Sequence, residues 1–201
     1  SLRLARYRRF EEVRLGMFFL LNILKIEGLF KGLSQVAEAI IKAVIENAEC
    51  RDLSVIALGK LGAREMTFGS DLDIVFVSES TEAMTSAERT IRALTAYTDM
   101  GQLYDVDTRL RPDGSKGVLV NNIGGYKNYY LEKAMNWELQ ALLKARPVGG
   151  NQELARSFIN MARDVILKRG HDVRKEDVTA MRERIIKEFT RESGGINIKI
   201  C

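Results

Sequence analysis

The chain has 201 residues, of which 46% are hydrophobic and 29% are charged, a balance typical of a globular protein with a sizeable core. Its formal net charge of +4 is only mildly basic, and its lysines and arginines are spread along the chain, which disfavours a nucleic-acid-binding protein. Two cysteines, Cys50 and Cys201, are too few for a disulfide framework or a zinc site, so we expect two free thiols.

The ends of the chain carry no recognisable targeting or membrane segment. No signal peptide is visible, and the apolar stretch at 17–24 is too short, and too interrupted by polar residues, to cross a membrane. The chain begins at Ser1 without methionine and stops abruptly at its C-terminus. We therefore interpret it as a piece of a longer cytoplasmic protein.

Two helices are predicted ahead of the first strand. Apolar residues at helical spacing indicate a helix over residues 2–27. Gly28 and Gly32 interrupt this pattern, and Ser34 is placed to cap a second helix that reaches about residue 49.

Two apolar runs, at 53–58 and 72–77, predict neighbouring strands. The first strand ends in a glycine turn at 59–62, and the segment 69–73, which reads Gly-Ser-Asp-Leu-Asp, leads into the second. A glycine turn on one strand and paired acids at the start of the next predict a polar site at the ends of these strands.

The two acids of this segment are expected to point in the same direction. Strand side chains alternate between faces, so Asp71 and Asp73 share one face while Leu72 and Ile74 point into the core. Two carboxylates beside a glycine turn suit Mg²⁺ held against a triphosphate. A metal in this position neutralises charge on a transferring phosphoryl or nucleotidyl group.

A third strand is predicted at 103–110, after a helix from about 85 to 100. Strict alternation along it places four charged side chains on one face, namely Asp105, Asp107, Arg109 and Arg111. Acids there can ligate metal, and arginines can bind phosphate oxygens or the leaving pyrophosphate. For Asp105, an outward position that does not bind metal is an equal alternative. For Arg109 and Arg111, ion pairs with the acids are an equal alternative to phosphate contacts.

The remainder of the chain is predicted to be helical. After a loop at 112–125, helices are expected at about 126–145, 151–169 and 175–191, with a break at 147–150. Helices before and after a small sheet predict an α+β fold with a mixed sheet.

Several other side chains of the C-terminal half have structural interpretations. Trp137 is expected in a helix core. Glu138, Lys144 and Arg146 lie at or near helical spacing, so they are expected either to form a structural ion pair or to contact the substrate. The single histidine, His171, lies in a predicted loop and is expected on the surface, which disfavours histidine-dependent catalysis.

The motifs resemble those of a known family. An Asp-x-Asp pair after a glycine turn, followed by a later strand aspartate, is the pattern of the nucleotidyltransferase superfamily that includes polymerase beta-like enzymes. The longer strings at 59–73, 106–114 and 137–146 closely resemble glutamine synthetase adenylyltransferase, also called glutamate–ammonia-ligase adenylyltransferase. The resemblance covers about residues 50–200, and the preceding helical segment is also similar.

The resemblance implies a polymerase beta-like fold and a set of site residues. Asp71 and Asp73 match the metal-binding pair of the family, and Asp107 matches its third catalytic carboxylate, so all three are expected to bind Mg²⁺. The residues predicted to contact the nucleotide, from the resemblance or from the strand pattern, are Gly59, Lys60, Gly69, Ser70, Arg109 and Arg111. For Lys60, a solvated turn position is an equal alternative.

The resemblance also implies a domain organisation. Residues 1–50 are expected to form a helical lead-in, 51–125 the nucleotidyltransferase core, and 126–201 the C-terminal helical part of the same module. Family enzymes carry two such modules, one attaching AMP from ATP to a tyrosine of glutamine synthetase and the other removing it by phosphorolysis. PII-type signalling proteins set the balance between the two activities.

The strings at 104–114 and 137–150 resemble the attaching half more closely, so AMP transfer to glutamine synthetase is the predicted function. The removing module remains an alternative. A third possibility is an idle module that docks glutamine synthetase or a PII protein, against which the intact acids argue. A nucleotidyltransferase acting on RNA or an antibiotic is a fourth, and the lack of a basic surface interleaved with aromatic residues disfavours the RNA substrate.

Overall fold

The structure is a computed structural model that describes residues 2–47 and 52–172 together with Glu176, Thr179 and Glu183. The predictions made for Cys50, Cys201 and the helix at 175–191 lie outside the described residues or extend beyond them. Within the described part, seven α-helices surround a small mixed sheet, which confirms the predicted α+β class. No helix among these residues combines the length and apolarity that a membrane crossing requires.

The secondary-structure elements alternate between helices and short strands. In chain order the first half contains α1 (Leu2–Leu20), α2 (Ile26–Asn47), β1 (Ser54–Ala57), α3 (Gly59–Ala63), β2 (Leu72–Val77) and α4 (Ala83–Leu94). The second half contains β3 (Tyr97–Thr98), β4 (Gly101–Gln102), β5 (Val106–Asp107), β6 (Val120–Asn121), α5 (Ile123–Glu132), α6 (Asn136–Leu143), β7 (Arg146–Gly150) and α7 (Gln152–Arg169). Single 3₁₀ turns occur at Gly114–Lys116 and Gly170–Asp172.

The main sheet is built around β1 and β2. β1 pairs antiparallel with β2 on one side and with β7 on the other. The free side of β2 pairs in parallel with β5 near its start and with β6 near its end. β2 is therefore flanked along both edges, and its N-terminal end lies beside β5.

Both faces of β2 are buried, which explains its continuous apolar sequence. Leu72, Ile74 and Phe76 belong to the hydrophobic cluster formed with α2, while Val75 and Val77 belong to the cluster formed with α5, α6 and α7. The sheet thus lies between two helical layers, and its polar residues are confined to the strand ends.

The N-terminal helices differ from the prediction. α1 ends at Leu20, and Asn22 adopts a left-handed conformation before α2 begins. Ser34 does not cap a helix, because it lies inside α2 and donates its hydroxyl proton to the carbonyl of Phe30 at 2.8 Å. A Cβ at Gly32 would lie 2.7 Å from Leu15, so this glycine provides close contact between α1 and α2 and does not interrupt a helix.

The predicted third strand is much shorter than expected, and the helix before it ends early. α4 ends at Leu94, and residues 97–102 form the β3–β4 hairpin. β5 contains only Val106 and Asp107, because the Asp107 carboxylate accepts the backbone N–H of Arg109 at 2.8 Å, and this local bond turns the chain out of the strand. The predicted four-residue charged face is therefore wrong.

The predicted helix at 126–145 is two helices. α6 begins after Met135, whose backbone N–H donates to the Glu138 carboxylate at 2.8 Å. The predicted break at 147–150 is part of β7, which tolerates Pro147 because it lies at the edge of the sheet. A Cβ at Gly149 would lie 2.5 Å from Ile45, so the glycine lets α2 pack against this strand.

Arg146 holds β7, α2 and α3 together. Its guanidinium contacts the Glu38 carboxylate at 2.7 Å and donates to the carbonyls of Leu61 at 2.8 Å and Gly62 at 3.1 Å. These carbonyls belong to the last turn of α3, where the carbonyl of Leu61 also accepts the backbone N–H of Arg64 at 3.2 Å. The structural interpretation of Arg146 is supported, although its partner is Glu38 and not Glu138.

We expect Arg146→Met to lower the free energy of unfolding by about 2 kcal/mol, because the Glu38 carboxylate then keeps the exposed Arg64, 3.5 Å away, as its ion-pair partner, and the carbonyls of Leu61 and Gly62 lose the guanidinium as a donor. Urea unfolding measures this change. The double variant Glu38→Gln/Arg146→Met should recover part of the loss, since no buried charge is left unpaired. An unchanged urea midpoint in Arg146→Met would contradict this role.

Candidate active site

Three carboxylates lie together at the start of β2. Asp71 immediately precedes the strand, Asp73 is its second residue, and Asp107 lies directly opposite Asp73 in the parallel pairing with β5. The backbone N–H of Leu72 donates to the carbonyl of Asp105 at 2.8 Å, which fixes this register. The structure therefore brings together the three acids that the sequence predicted.

The Asp73 side chain is partly buried beside two like charges. Desolvation raises its pKa to about 6, and the charges of Asp107 and Asp71 add to this increase. A hydrogen bond from the backbone N–H of Lys60 and the charge of Arg109 act in the opposite direction. A carboxylate in this environment is stabilised by an added cation.

The first glycine turn is in contact with Asp73. Gly59 follows β1 with a φ of +50°, and a Cβ at this position would lie 2.1 Å from Asp73 Oδ2. The backbone N–H of Leu58 donates to the Asp73 carbonyl at 2.8 Å, which holds the two strands at this distance. Glycine is required at this position both by its backbone conformation and by the nearby carboxylate.

Asp107 is engaged by Arg109. The Arg109 guanidinium contacts both carboxylate oxygens, with Nε 3.0 Å from Oδ1 and Nη2 2.5 Å from Oδ2. These hydrogen bonds, more than any other interaction, hold the pKa of Asp107 below its usual range. Of the two alternatives open for Arg109, the structure contains the ion pair, and its role in nucleotide binding remains a prediction.

The second glycine turn is stabilised by its serine. Gly69 has a φ of +73° with open space around it, and the Ser70 hydroxyl accepts the backbone N–H of Thr67 at 3.0 Å. The two hydroxyls of Ser70 and Thr67 also lie 2.9 Å apart. Thr67 was not predicted as part of this turn, although a Thr-x-x-Ser spacing ahead of a strand is a signal for it.

Arg111 and Asp105 contact residues other than the three acids. Arg111 donates to the carbonyls of Thr108, Gly117 and Ser115, and therefore holds the loop after β5 in place. Asp105 is exposed and accepts the Gln102 side chain at 3.0 Å. A nucleotide contact by Arg111 remains a prediction.

The described contacts of the Lys60, Lys144 and Glu138 side chains are with residues other than the three acids. Lys60 lines a groove of about 470 Å³ between α2 and α3, and Lys144 pairs with the exposed Glu65 at 3.2 Å. Glu138 is buried and accepts the Tyr129 hydroxyl at 2.6 Å, so it is structural.

Trp137 is half-buried and does not lie in the core, which corrects its prediction. His171 is exposed in the last 3₁₀ turn, as predicted.

The three acids are of the chemical type that a divalent cation prefers. Their oxygens are not yet arranged to bind one. Carboxylate oxygens are the ligands that Mg²⁺ prefers, and the raised pKa of Asp73 reflects its burial first and the neighbouring negative charges second. In residues 2–47 and 52–172, however, no three acidic, histidine or cysteine side chains form a ready metal-ligand group. Because Arg109 engages both oxygens of Asp107, the donor set fits the metal once this contact is released.

Residues 2–161 match the family model described as glutamate–ammonia ligase adenylyltransferase. Several curated proteins named bifunctional glutamine synthetase adenylyltransferase/adenylyl-removing enzyme are similar to this chain. The protein from Xanthomonas campestris pv. campestris (strain B100) is 31% identical over 225 residues, which cover 95% of this chain and 24% of that protein. The one from Methylococcus capsulatus (strain ATCC 33009 / NCIMB 11132 / Bath) is 32% identical over 232 residues, or 97% of this chain and 24% of that protein.

A third relative, from Thioalkalivibrio sulfidiphilus (strain HL-EbGR7), is 37% identical over 164 residues, which cover 73% of this chain and 17% of that protein. The chain thus spans about a quarter of the length of the longest-matching of these relatives. Their printed name combines two activities, and the similarity does not assign either activity to this one module.

Proposed function

Because this chain belongs to the glutamate–ammonia ligase adenylyltransferase family, we propose that its module transfers AMP from Mg-ATP to a tyrosine of glutamine synthetase. The observation that carries the proposal is the pairing of Asp73 with Asp107 across β2 and β5, with Asp71 at the same strand end. Three carboxylates at one strand end repel one another, which is unfavourable unless a cation is bound there, and this favours a metal-binding function.

The proposed reaction is an in-line attack on the α-phosphorus of ATP. The tyrosine oxygen of the protein substrate bonds to that phosphorus while the bond to the pyrophosphate oxygen breaks. Mg²⁺ supplies neutralisation of the phosphate charge and favours ionisation of the attacking hydroxyl. Since the tyrosine comes from the partner, the chain needs no nucleophile of its own.

The residues of this chain have separate roles in the reaction. Asp71 and Asp73 would hold the metal ions, and Asp107 would complete the second site and accept the proton of the tyrosine hydroxyl. Gly59 lets the Asp73 carboxylate lie against the backbone after β1. Arg109, exposed and beside Asp107, would supply a cation for the leaving pyrophosphate.

Removal of AMP by phosphorolysis is the second candidate, because the names of the relatives include an adenylyl-removing activity. The same carboxylates would serve, with phosphate as the nucleophile. The resemblance of the strings at 104–114 and 137–150 to the attaching half favours AMP transfer. In the full-length protein, a cytoplasmic location and control by a PII-type signalling protein complete the proposal.

The full-length protein that contains this chain should be tested with Mg²⁺ in two reactions. One contains unmodified glutamine synthetase and ATP, and the other contains adenylylated glutamine synthetase and phosphate. The intact mass of the synthetase is followed in both. In a protein whose other module has been inactivated, gain of an AMP mass supports the attaching function, and loss of it in the second reaction assigns removal to this module.

Asp71→Asn should reduce the assigned activity at least about a hundredfold, because a neutral amide binds Mg²⁺ much more weakly than a carboxylate does. Glu88→Gln, which removes an exposed acid of α4, is the matched control and should retain activity. Equal activity of the Asp71→Asn variant and the wild type would reject catalysis by these acids. An inactive wild type that still binds glutamine synthetase would instead favour a docking module.

A further inference from the structure

Arg109 occupies all the acceptor positions that Asp107 presents to it. Oδ1 receives the backbone N–H of Arg109 at 2.8 Å and its Nε at 3.0 Å, and Oδ2 receives Nε at 2.9 Å and Nη2 at 2.5 Å. A metal ion bound to Asp107 needs the same oxygens. The guanidinium and the metal therefore compete for one carboxylate.

The side chain of Arg109 is free to leave this position. It is 76% exposed, whereas the Asp107 side chain is 18% exposed. Exposed ion pairs contribute little to stability, so releasing the guanidinium is inexpensive. The neighbouring Arg111 provides a contrast, because its guanidinium is tied to the carbonyls of the loop after β5.

The acids of the site carry more negative charge than the nearby arginines neutralise. Asp71, Asp73 and Asp107 together carry three negative charges when ionised, and Arg109 supplies one positive charge close to them. The guanidinium of Arg109 offsets one of the three charges, and the charge of Arg111, which stays tied to the loop carbonyls, also acts on Asp107. Exchanging the Arg109 guanidinium for a divalent cation improves the balance, and an incoming triphosphate provides a new anionic partner for the displaced arginine.

We propose that Arg109 is a positioning residue that acts as the resident cation of the site, holding Asp107 opposite Asp73 until a divalent metal replaces it. The inference rests on the proposed function and deepens it. In this scheme Arg109 leaves Asp107 when metal and nucleotide enter, and then contacts the phosphates. Its presence lowers the affinity for metal alone and raises the affinity for the metal–nucleotide complex.

The scheme predicts opposite effects on two binding constants. Arg109→Gln should bind Mn²⁺ alone about three- to tenfold more tightly than the wild type, because Asp107 is no longer engaged. The same variant should bind Mn-ATP more weakly. Arg109→Lys should lie between the two proteins, since an ammonium cannot span both carboxylate oxygens as a guanidinium does. A purely structural residue would weaken both affinities.

The experiment titrates Mn²⁺, without nucleotide, into the full-length protein whose other module has been inactivated, and measures free Mn²⁺ by electron paramagnetic resonance. Arg89→Gln, which removes an exposed arginine from α4, controls for the loss of one positive charge. The effect of Arg109→Gln should disappear when Asp107→Asn is also present. Melting temperatures of all variants establish that each protein is folded.

Equal or weaker Mn²⁺ binding by folded Arg109→Gln overturns the proposal, and so does Mn²⁺ binding undetectable in both proteins. An equal gain in Arg89→Gln overturns it as well, since the effect is then one of overall charge. The result is independent of the transfer assay. Tighter Mn²⁺ binding in a protein that moves no AMP would support the role of Arg109 and reject the proposed function.

Discussion

Replacing Asp73 by asparagine is expected to stabilise the metal-free protein while removing its proposed activity. The pKa of Asp73 is raised from 3.8 to about 6 by burial and by the charges of Asp107 and Asp71, so the ionised carboxylate is unfavourable in the folded state. Removing that charge should raise the free energy of unfolding by about 1–3 kcal/mol at about pH 8. The amide oxygen still accepts the backbone N–H of Lys60.

The pH dependence of this gain has a definite sign. A carboxyl group whose folded-state pKa is raised binds its proton more tightly in the folded protein, so its unfavourable contribution develops as the pH rises from about 4 to about 6. The stability of the wild type relative to Asp73→Asn should therefore decrease across this range and stay constant above it. Arg109, which opposes the shift, is present in both proteins.

Urea unfolding of the metal-free protein at several pH values measures this difference. Asp164→Asn removes an exposed aspartate from α7 and is the matched control, for which a small and nearly pH-independent change is expected. Transfer of AMP should fall at least about a hundredfold in Asp73→Asn. If Asp73→Asn were less stable than the wild type at high pH, this would contradict the view that the ionised Asp73 carboxylate is unfavourable in the folded protein before metal binds.

The parts of the site that follow from local pattern could be predicted from the sequence. The bounds of β2 and the placement of Asp71 and Asp73 depend on strand alternation and on an apolar run long enough to be buried on both faces. The resemblance to the family predicted that Asp107 is the third carboxylate of the site. Its pairing directly opposite Asp73 was not predicted, because no local signal specifies which residue of one strand lies opposite which residue of another.

The parts that failed depend on contacts between distant or competing groups. The charged face expected after β5 is absent because one side chain, Asp107, bonds to the backbone of Arg109 and ends the strand, which a count of alternating residues does not reveal. Gly32 and Gly149 looked like interruptions, yet each marks a close approach, to Leu15 and to Ile45 respectively. Contacts of this kind join residues that are far apart in the sequence, so they become visible only in the folded structure.

Gly59 is another glycine in close contact, here with the Asp73 carboxylate, and its replacement is expected to have a large effect on the site. In Gly59→Ala the new Cβ would lie 2.1 Å from Asp73 Oδ2, so the carboxylate must move or the turn after β1 must open. The left-handed backbone at this position adds strain of about 1–2 kcal/mol. We expect AMP transfer and Mn²⁺ binding each to fall at least about tenfold, because Asp73 leaves the position opposite Asp107.

Gly114→Ala separates the two causes. Gly114 has a φ of +59°, close to the +50° of Gly59, but a Cβ there would make only an ordinary contact, 3.6 Å from the carbonyl oxygen of Arg109. Both variants should therefore lose similar stability through backbone strain in urea unfolding, while Gly114→Ala should keep its Mn²⁺ affinity. If the two variants lose metal binding equally, strain alone explains the effect, and contact between Gly59 and Asp73 does not determine the geometry of the site.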